Sequence, residues 1–246
     1  MAVDLDYFRG LLQRVVSDPV RVGRRLGTRA GWRRIWYIIH PPPHGDWKAE
    51  PRSGLQVRDY ERYQDYVVHQ RSKLEQFDWS RYDVQFRAAL AERLQGSNRI
   101  AGAESVLCLA SRLGTEVRAF RDVGAFAVGI DLQPGKNSTS VLHGDFHALD
   151  FPDSSVDLIY CNSLDHALDL RTVLAEVRRV LKPTGRLMVD AQKGTLEVEE
   201  FDDWAATSWP SIDELARFIA STGFNESERA PIQMPWVGHE LIFEVQ

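Results

Sequence analysis

An aspartate at the end of an apolar segment is the first feature of this sequence that suggests chemistry. Two apolar segments, Val106–Ala110 and Ala125–Asp131, have the composition of buried strands, and a helical segment, Gly114–Val123, lies between them. In nucleotide-binding α/β folds an acid in this place accepts hydrogen bonds from ribose hydroxyls, because a carboxylate presents two acceptor oxygens to a diol. The spacing, with Asp131 twenty residues after Ser111, is equally compatible with a carboxylate that only caps the strand.

A second group of polar residues follows this segment and raises the question of a metal site. His143, Asp145 and His147 are close in sequence, and imidazole and carboxylate groups are common metal ligands. No further ligand set accompanies them in the chain. The sequence therefore predicts no metal.

The elements that position these residues begin at Ser105, where short apolar segments alternate with helical patterns. This alternation is typical of a parallel sheet built from crossover units. Seven strands are predicted, at Val106–Ala110, Ala125–Asp131, Ser140–His143, Val156–Cys161, Arg186–Asp190, Phe224–Arg229 and His239–Val245. Residues 100–246 are therefore predicted to form one α/β domain with a mostly parallel sheet flanked by helices.

Two helices after the fourth predicted strand have clear boundaries. One spans Leu170–Leu181, with its apolar residues on one face, and stops at Lys182-Pro183. The other begins at Ser211, has Glu214 at the capping-box position, and ends at Gly223.

Residues 1–99 are predicted to form a helical N-terminal extension with a proline-rich connector. Apolar residues recur at helical spacing from Leu5 to Val16, and arginines continue to Arg34, which predicts a basic amphipathic helix. This helix either packs on the domain with a solvated arginine face, or acts as a lid, a dimer contact or a membrane-surface anchor.

The remainder of the extension is predicted to be a connector followed by helices. Pro41-Pro42-Pro43 and the polar residues up to Gly54 indicate an exposed connector. Two further helices are expected around Tyr60–Leu74 and Phe86–Leu94. We expect the whole extension to cover the substrate pocket.

Charge and composition restrict the possible partners. The formal net charge of −5 divides into +5 for residues 1–34, from eight arginines and three aspartates, and −10 for the remainder. An acidic body binds nucleic acid poorly, because phosphate binding needs clustered Lys and Arg. No nucleic acid partner is expected, and a small or protein-borne substrate is favoured.

The cysteines and the N-terminus point to a cytoplasmic protein. Cys108 and Cys161 lie in apolar segments predicted as buried strands, so reduced thiols are expected. Acids near the N-terminus, Asp4 and Asp6, replace the positive charge of a secretory signal. No apolar run approaches the ~18–20 residues of a membrane span.

One block of residues is more specific than the spacing of Asp131. It contains Gly144, Asp145, Leu149, Phe151, Asp153 and Asp157, and it is followed by the turn Leu181-Lys182-Pro183-Thr184-Gly185. With this block, the stretch Ser105–Asp190 resembles the class I S-adenosylmethionine-dependent methyltransferases, particularly their small-molecule branch. The resemblance implies a Rossmann-like fold and S-adenosyl-L-methionine as cofactor.

The resemblance also implies roles for single residues. Asp131 would hold the ribose, and Asp145 would accept a hydrogen bond from the adenine amino group, beside the backbone of Phe146 and with His147 in the same block. Leu132 and Phe146 would sandwich the adenine ring. After the fourth strand, Asn162 and Ser163 would face the methionine part of the cofactor.

The first motif departs from the family pattern. The segment from Val106 keeps only the last of the usual glycines, Gly114, and has Ala110, Ser111 and Arg112 in the loop where the family has close backbone approach. Arg112 either pairs with the cofactor's carboxylate or takes another partner. Glu116 either binds the cofactor's ammonium group or pairs with Arg112.

The family's chemistry needs few catalytic residues, because aligning nucleophile and methyl group supplies most of the rate. Asp165 and His166 follow the fourth strand, and His166 is the candidate base for a hydroxyl acceptor; packing or capping is the alternative. Trp204, Trp209 and Trp236 either line the substrate pocket or pack in the core.

The sequence thus predicts a methyltransferase that acts on a small-molecule or glycan-type acceptor. The altered first motif keeps open a non-catalytic protein of this fold that acts as a binding partner, and a nucleotide-using enzyme of another class. A homodimer is possible.

Overall fold

A computed structural model of the chain describes residues 45–51, 53–76, 80–95, 100–135, 139–198 and 203–246. The predicted basic helix from Leu5 to Val16 and the triple proline lie outside the described residues. The described elements are β1 (Asp46–Ala49), β2 (Gln56–Asp59), α1 (Tyr63–Gln76), α2 (Ser80–Leu94), β3 (Ser105–Leu109), α3 (Thr115–Asp122), β4 (Phe126–Asp131), β5 (Val141–His143), β6 (Val156–Cys161), a 3₁₀ turn (Leu164–His166), α4 (Leu170–Val180), β7 (Leu181–Gln192), β8 (Thr207–Ser208), α5 (Ile212–Ala220), β9 (Phe224–Ile232) and β10 (Gly238–Val245).

A seven-stranded sheet has the order β5-β4-β3-β6-β7-β10-β9. The first five of these strands are parallel, and β10 is inserted antiparallel between β7 and β9. The prediction of a seven-stranded, mostly parallel sheet flanked by helices is confirmed.

Each face of the sheet is covered by its own hydrophobic cluster, because side chains alternate along a strand. On β3, Leu107 and Leu109 belong to one cluster, together with the apolar faces of α4 and α5. Val106 and Cys108 belong to the other, which includes residues of α2 and α3. Cys108 and Cys161 are buried free thiols, as the sequence predicted for these segments.

The connector predicted between Pro41 and Gly54 is only partly correct. Residues Asp46–Ala49 form the exposed strand β1, which pairs with β2 in a separate three-stranded sheet of order β1-β2-β8. A strand of four exposed residues is too short to stand out from a connector, so the sequence pattern did not reveal it.

One predicted boundary and one predicted capping contact needed correction. Strand β7 begins at Leu181, immediately after α4, and is longer than the predicted Arg186–Asp190 because Val156 already pairs with Leu181. At α5, the Ser211 side chain accepts a hydrogen bond from the backbone N–H of Glu214, which is the first half of the predicted capping box. The Glu214 carboxylate accepts instead from Arg217.

Within the part of the chain that the structure describes, no helix is long and apolar enough to cross a membrane.

Candidate active site

A cavity of about 330 Å³ lies where the carboxyl ends of β3, β4, β6 and β7 meet. Parallel strands bring their carboxyl ends to one edge of the sheet, which is where ligands bind in open α/β folds. Helices α1 and α2 add residues to the opposite wall. The lining residues are Tyr66, Gln70, Arg71, Lys73, Tyr82, Ala110, Ser111, Arg112, Leu113, Thr115, Glu116, Ile130, Asp131, Leu132, Gln133, Gly144, Phe146, Asn162, Ser163, Asp165, His166, Gln192, Trp204 and Trp236.

The loop after β3 follows a left-handed path although it has few glycines. Ala110, Arg112 and Gly114 have φ angles of 49°, 28° and 70°. Only Gly114 adopts this conformation without a Cβ penalty. The loop is held by the Ser111 backbone N–H, which donates to the Ile130 carbonyl at 3.0 Å. Ala110, Ser111 and Arg112 thereby line the cavity, whereas Gly114 does not.

The Asp131 carboxylate organises this loop and the end of β4. One oxygen accepts from the Arg112 backbone N–H at 3.0 Å, and the other accepts from the Gln133 backbone N–H at 2.7 Å. The Arg112 guanidinium Nε lies 3.8 Å from the same carboxylate. Arg112 therefore pairs with Asp131, and the alternative of a pair with Glu116 is not what the structure shows.

Glu116 is a buried acid on the cavity wall. Its Oε1 accepts from the Asn162 side-chain amide at 3.0 Å, and among the described residues its buried Oε2 has no hydrogen-bond partner. Burial raises the pKa of Glu116 to about 7, against hydrogen bonds, including that from Asn162, that lower it. A buried oxygen with unused lone pairs is a place for a proton or for the ammonium group of a ligand.

Asn162 and Ser163 follow β6 and belong to the same wall. The Ser163 hydroxyl donates to the Asn162 side-chain oxygen at 3.0 Å, so the amide nitrogen of Asn162 is directed to Glu116. The two residues and Glu116 form one hydrogen-bonded group. The family resemblance implied that Asn162 and Ser163 face the methionine part of the cofactor, and the sequence left Glu116 between the cofactor's ammonium group and a pair with Arg112.

Asp145 and His147 lie beside the cavity and do not line it. The Asp145 carboxylate accepts hydrogen bonds from the hydroxyl of Tyr63 on α1 and from the His147 backbone N–H at 2.9 Å. The ring Nδ1 of His147 is 2.7 Å from the same carboxylate. Burial raises the pKa of Asp145, but these hydrogen bonds outweigh it and hold the pKa below its usual range. Leu132 and Phe146, the two residues expected around the adenine, do line the cavity.

His166 has a partner at each ring nitrogen. Its Nδ1 lies 3.1 Å from the Trp204 carbonyl oxygen, which can only accept, so Nδ1 carries a proton. Its Nε2 lies 3.1 Å from the Lys73 ammonium nitrogen and 3.9 Å from an Asp165 oxygen. A neutral imidazole with its proton on Nδ1 fits both contacts, because the lysine can then donate to the Nε2 lone pair. Asp165 and His166 both line the cavity.

Of the three tryptophans expected either to line the substrate pocket or to pack in the core, two line the cavity and one is in the core. Trp204 and Trp236 line the cavity. Trp209 is 1% exposed in the core, and its indole N–H donates to the Gln192 carbonyl at 3.1 Å.

Several lining residues were missed from the sequence. Tyr66, Gln70 and Lys73 all come from α1, at intervals of four and three, which places them on one helical face. That spacing was the available signal. No sequence pattern indicated that Tyr82 and Gln192 would line the cavity.

Among the described residues, no group of three or more His, Cys, Asp or Glu side chains is arranged to hold a metal ion.

Residues 107–189 match a family model described as a methyltransferase domain. No curated protein matches the chain significantly.

Solved structures share the fold. The Burkholderia thailandensis 1,6-didemethyltoxoflavin-N1-methyltransferase, with bound 1,6-didemethyltoxoflavin and S-adenosylhomocysteine, is 15% identical and aligns over 81% of this chain and 98% of its own, with a TM-score of 0.58. A chain of the Haloferax volcanii complex that contains the Trm112 methyltransferase activator is 18% identical over 73% and 96% (TM-score 0.52). The PH0226 protein of Pyrococcus horikoshii is 17% identical over 69% and 92% (TM-score 0.51). The Rossmann-like architecture is thereby confirmed.

Proposed function

We propose that this chain, in which residues 107–189 match a methyltransferase domain, methylates a small-molecule or glycan-type acceptor with S-adenosyl-L-methionine as cofactor. One observation carries the proposal. Asp131, Glu116, Asn162 and Phe146, from four separate segments, line a single cavity at the carboxyl ends of the strands.

The residues present fit this cofactor. The buried Glu116 Oε2, which has no partner among the described residues, suits the cofactor's ammonium group. The Asp131 oxygens each accept one backbone hydrogen bond and keep lone pairs for ribose hydroxyls. Leu132 and Phe146 provide apolar surface for the adenine ring. When bound, S-adenosylmethionine supplies an electrophilic methyl group on its sulfonium.

His166 is the residue that we propose to take a proton from a hydroxyl acceptor. In the neutral imidazole, the Nδ1–H group donates to the Trp204 carbonyl oxygen, and the Nε2 lone pair faces Lys73. A hydroxyl that replaces the lysine at Nε2 meets a base with a suitable tautomer. The lysine would then lie next to the developing negative charge on the acceptor oxygen.

The size of the cavity favours a compact acceptor. A volume of about 330 Å³ is near the lower end of ligand pockets, which range from about 300 to 1,000 Å³. Because the cofactor would occupy part of this space, a small molecule or one terminal sugar of a glycan is what the remainder can hold. The contributions of Tyr66, Gln70 and Lys73 to the wall support a covering role for α1 within the N-terminal extension.

The proposal is tested by calorimetric titration of the whole protein with S-adenosylmethionine and S-adenosylhomocysteine. Both are expected to bind, and Leu132→Glu, which puts a charge on the cavity wall, is expected to abolish binding. Leu142→Glu is the matched control, because Leu142 is 57% exposed and does not line the cavity. Binding to neither compound would reject the methyltransferase function and favour a non-catalytic binding partner.

Acceptors are then sought by measuring S-adenosylhomocysteine release with separate panels of small molecules and oligosaccharides. Turnover with either panel supports the proposal. Cofactor binding without turnover on any member of both panels contradicts the proposed acceptor classes.

A further inference from the structure

The cavity has a second half, at some distance along the sheet from the residues assigned to the cofactor. Gln192 is the last residue of β7 and pairs with Gly238, the first residue of β10. Trp236 lies two residues before Gly238. In the strand order, β7 and β10 are separated from β4 and its Asp131 by β3 and β6. If the proposed function is correct, this half remains for the acceptor.

Two hydrogen-bond donors in this half have no acceptor among the described residues. The side-chain Nε2 of Gln192 and the indole Nε1 of Trp236 are both buried and have no hydrogen-bond partner among the described residues. Leaving a buried donor unsatisfied costs about 1–3 kcal/mol, so such groups are rare unless a ligand or water completes them. Both residues line the cavity. These two N–H groups can together bind a ligand oxygen that accepts hydrogen bonds.

The other side chains that line this half indicate the chemistry of the rest of the ligand. Trp204 and Trp236 line the cavity, and their aromatic side chains suit a planar apolar group. Two donors together suit a carboxylate, because it presents two acceptor oxygens and its charge strengthens each hydrogen bond.

We propose that the methyl acceptor is a planar aromatic compound whose carboxylate is bound by the side-chain N–H groups of Gln192 and Trp236. The inference rests on the proposed function, because it assumes that the cofactor occupies the half of the cavity around Asp131. It adds the chemical class of the acceptor and two residues that determine specificity.

The test uses the whole protein saturated with S-adenosylhomocysteine and three probes titrated into it. The probes are 4-hydroxybenzoate, 4-hydroxybenzamide and phenol, which share the ring and hydroxyl and differ in the second group. 4-Hydroxybenzoate is expected to bind at least tenfold more tightly than phenol, with the amide between them. Equal affinities, or binding of none of the three, would overturn the inference.

Substitutions of Gln192 and Trp236 test whether their N–H groups bind the carboxylate. Trp236→Phe and Gln192→Met keep most of the side-chain shape and remove the donors, and each is expected to weaken 4-hydroxybenzoate about tenfold while phenol binding changes less than twofold. Trp47→Phe is the control, because Trp47 is an exposed residue of β1 that does not line the cavity. An equal loss in all three variants would mean general damage to the pocket and would contradict the assignment.

The same titrations separate this inference from the proposed function. S-Adenosylhomocysteine affinity is expected to stay within twofold of the parent protein in both donor variants. Failure of the parent protein to bind S-adenosylhomocysteine defeats the proposed function itself. Normal cofactor binding with no carboxylate preference defeats only the assignment of Gln192 and Trp236.

Discussion

The backbone N–H of Arg112 donates a 3.0 Å hydrogen bond to the carboxylate of Asp131, which is 4% exposed. The acid proposed to bind ribose therefore also fixes the loop after β3. In this chain, a carboxylate and a left-handed backbone path hold a loop in which the family's usual glycines are missing.

Asp131→Asn tests the folding role of this acid. The amide nitrogen has no lone pair for one of the two backbone N–H groups, from Arg112 and Gln133, that the carboxylate now satisfies. We expect the free energy of unfolding to fall by about 1–3 kcal/mol. Denaturant unfolding measures it, with the exposed Asp150→Asn as control. A change as small as in the control would show that the loop does not depend on Asp131.

Ala110→Gly tests the strain in the loop. Ala110 has φ 49°, which costs an L-residue about 1–2 kcal/mol and glycine almost nothing. The greater freedom of glycine in the unfolded chain offsets about 0.4–1 kcal/mol. A net stabilisation of about 0.5 kcal/mol is expected from urea unfolding. The control is Ala127→Gly, at a buried strand position, and this change is expected to destabilise the protein.

Glu116 is expected to make stability depend on pH. Burial raises the pKa of Glu116 from an ordinary value of 4.5 to about 7. Between these values the folded protein keeps a proton that the unfolded chain has released, so the free energy of unfolding falls as pH rises. The fall amounts to about 3 kcal/mol and ends above pH 7.

The measurement compares the parent protein with Glu116→Gln by urea unfolding at several pH values from 4.5 to 8, without cofactor. The difference in unfolding free energy between the two should follow the predicted curve. Glu228→Gln, at an exposed position, should show no such difference. A flat difference across the range would show that Glu116 titrates as an ordinary carboxyl.

Arg93 joins α2 to the sheet through a buried ion-pair network. Its guanidinium donates to both oxygens of Asp190, at 2.9 and 2.5 Å, and to Glu240 at 2.7 Å, while the Tyr160 hydroxyl donates to Asp190 at 2.6 Å. The Asp190 and Glu240 side chains are almost completely buried.

Arg93→Met is therefore expected to destabilise the protein by about 3–5 kcal/mol, because it leaves buried carboxylates without their cation. The control is Arg87→Met on the same helix. Arg87 forms a largely exposed pair with Asp122, and its loss should cost less than about 1 kcal/mol. Similar midpoints for the two variants in guanidinium unfolding would refute the role of the Arg93 network.

The sequence by itself determined the strands of the main sheet. Short apolar segments and helices of period 3.6 are local patterns, so all seven strands of this sheet were predicted. The resemblance to the methyltransferases was also local, because the block from Gly144 to Asp157 and the turn after Leu181 carried it.

Only the tertiary structure decided which side chains face one another. In the folded chain, Arg112 pairs with Asp131, Asp145 accepts a hydrogen bond from Tyr63, and Lys73 contacts His166. These contacts join residues 19, 82 and 93 positions apart in the chain. Local periodicity specifies the face of an element on which a residue lies, but the partner across a cavity depends on how separate elements pack, and a single sequence does not encode that in any short-range pattern.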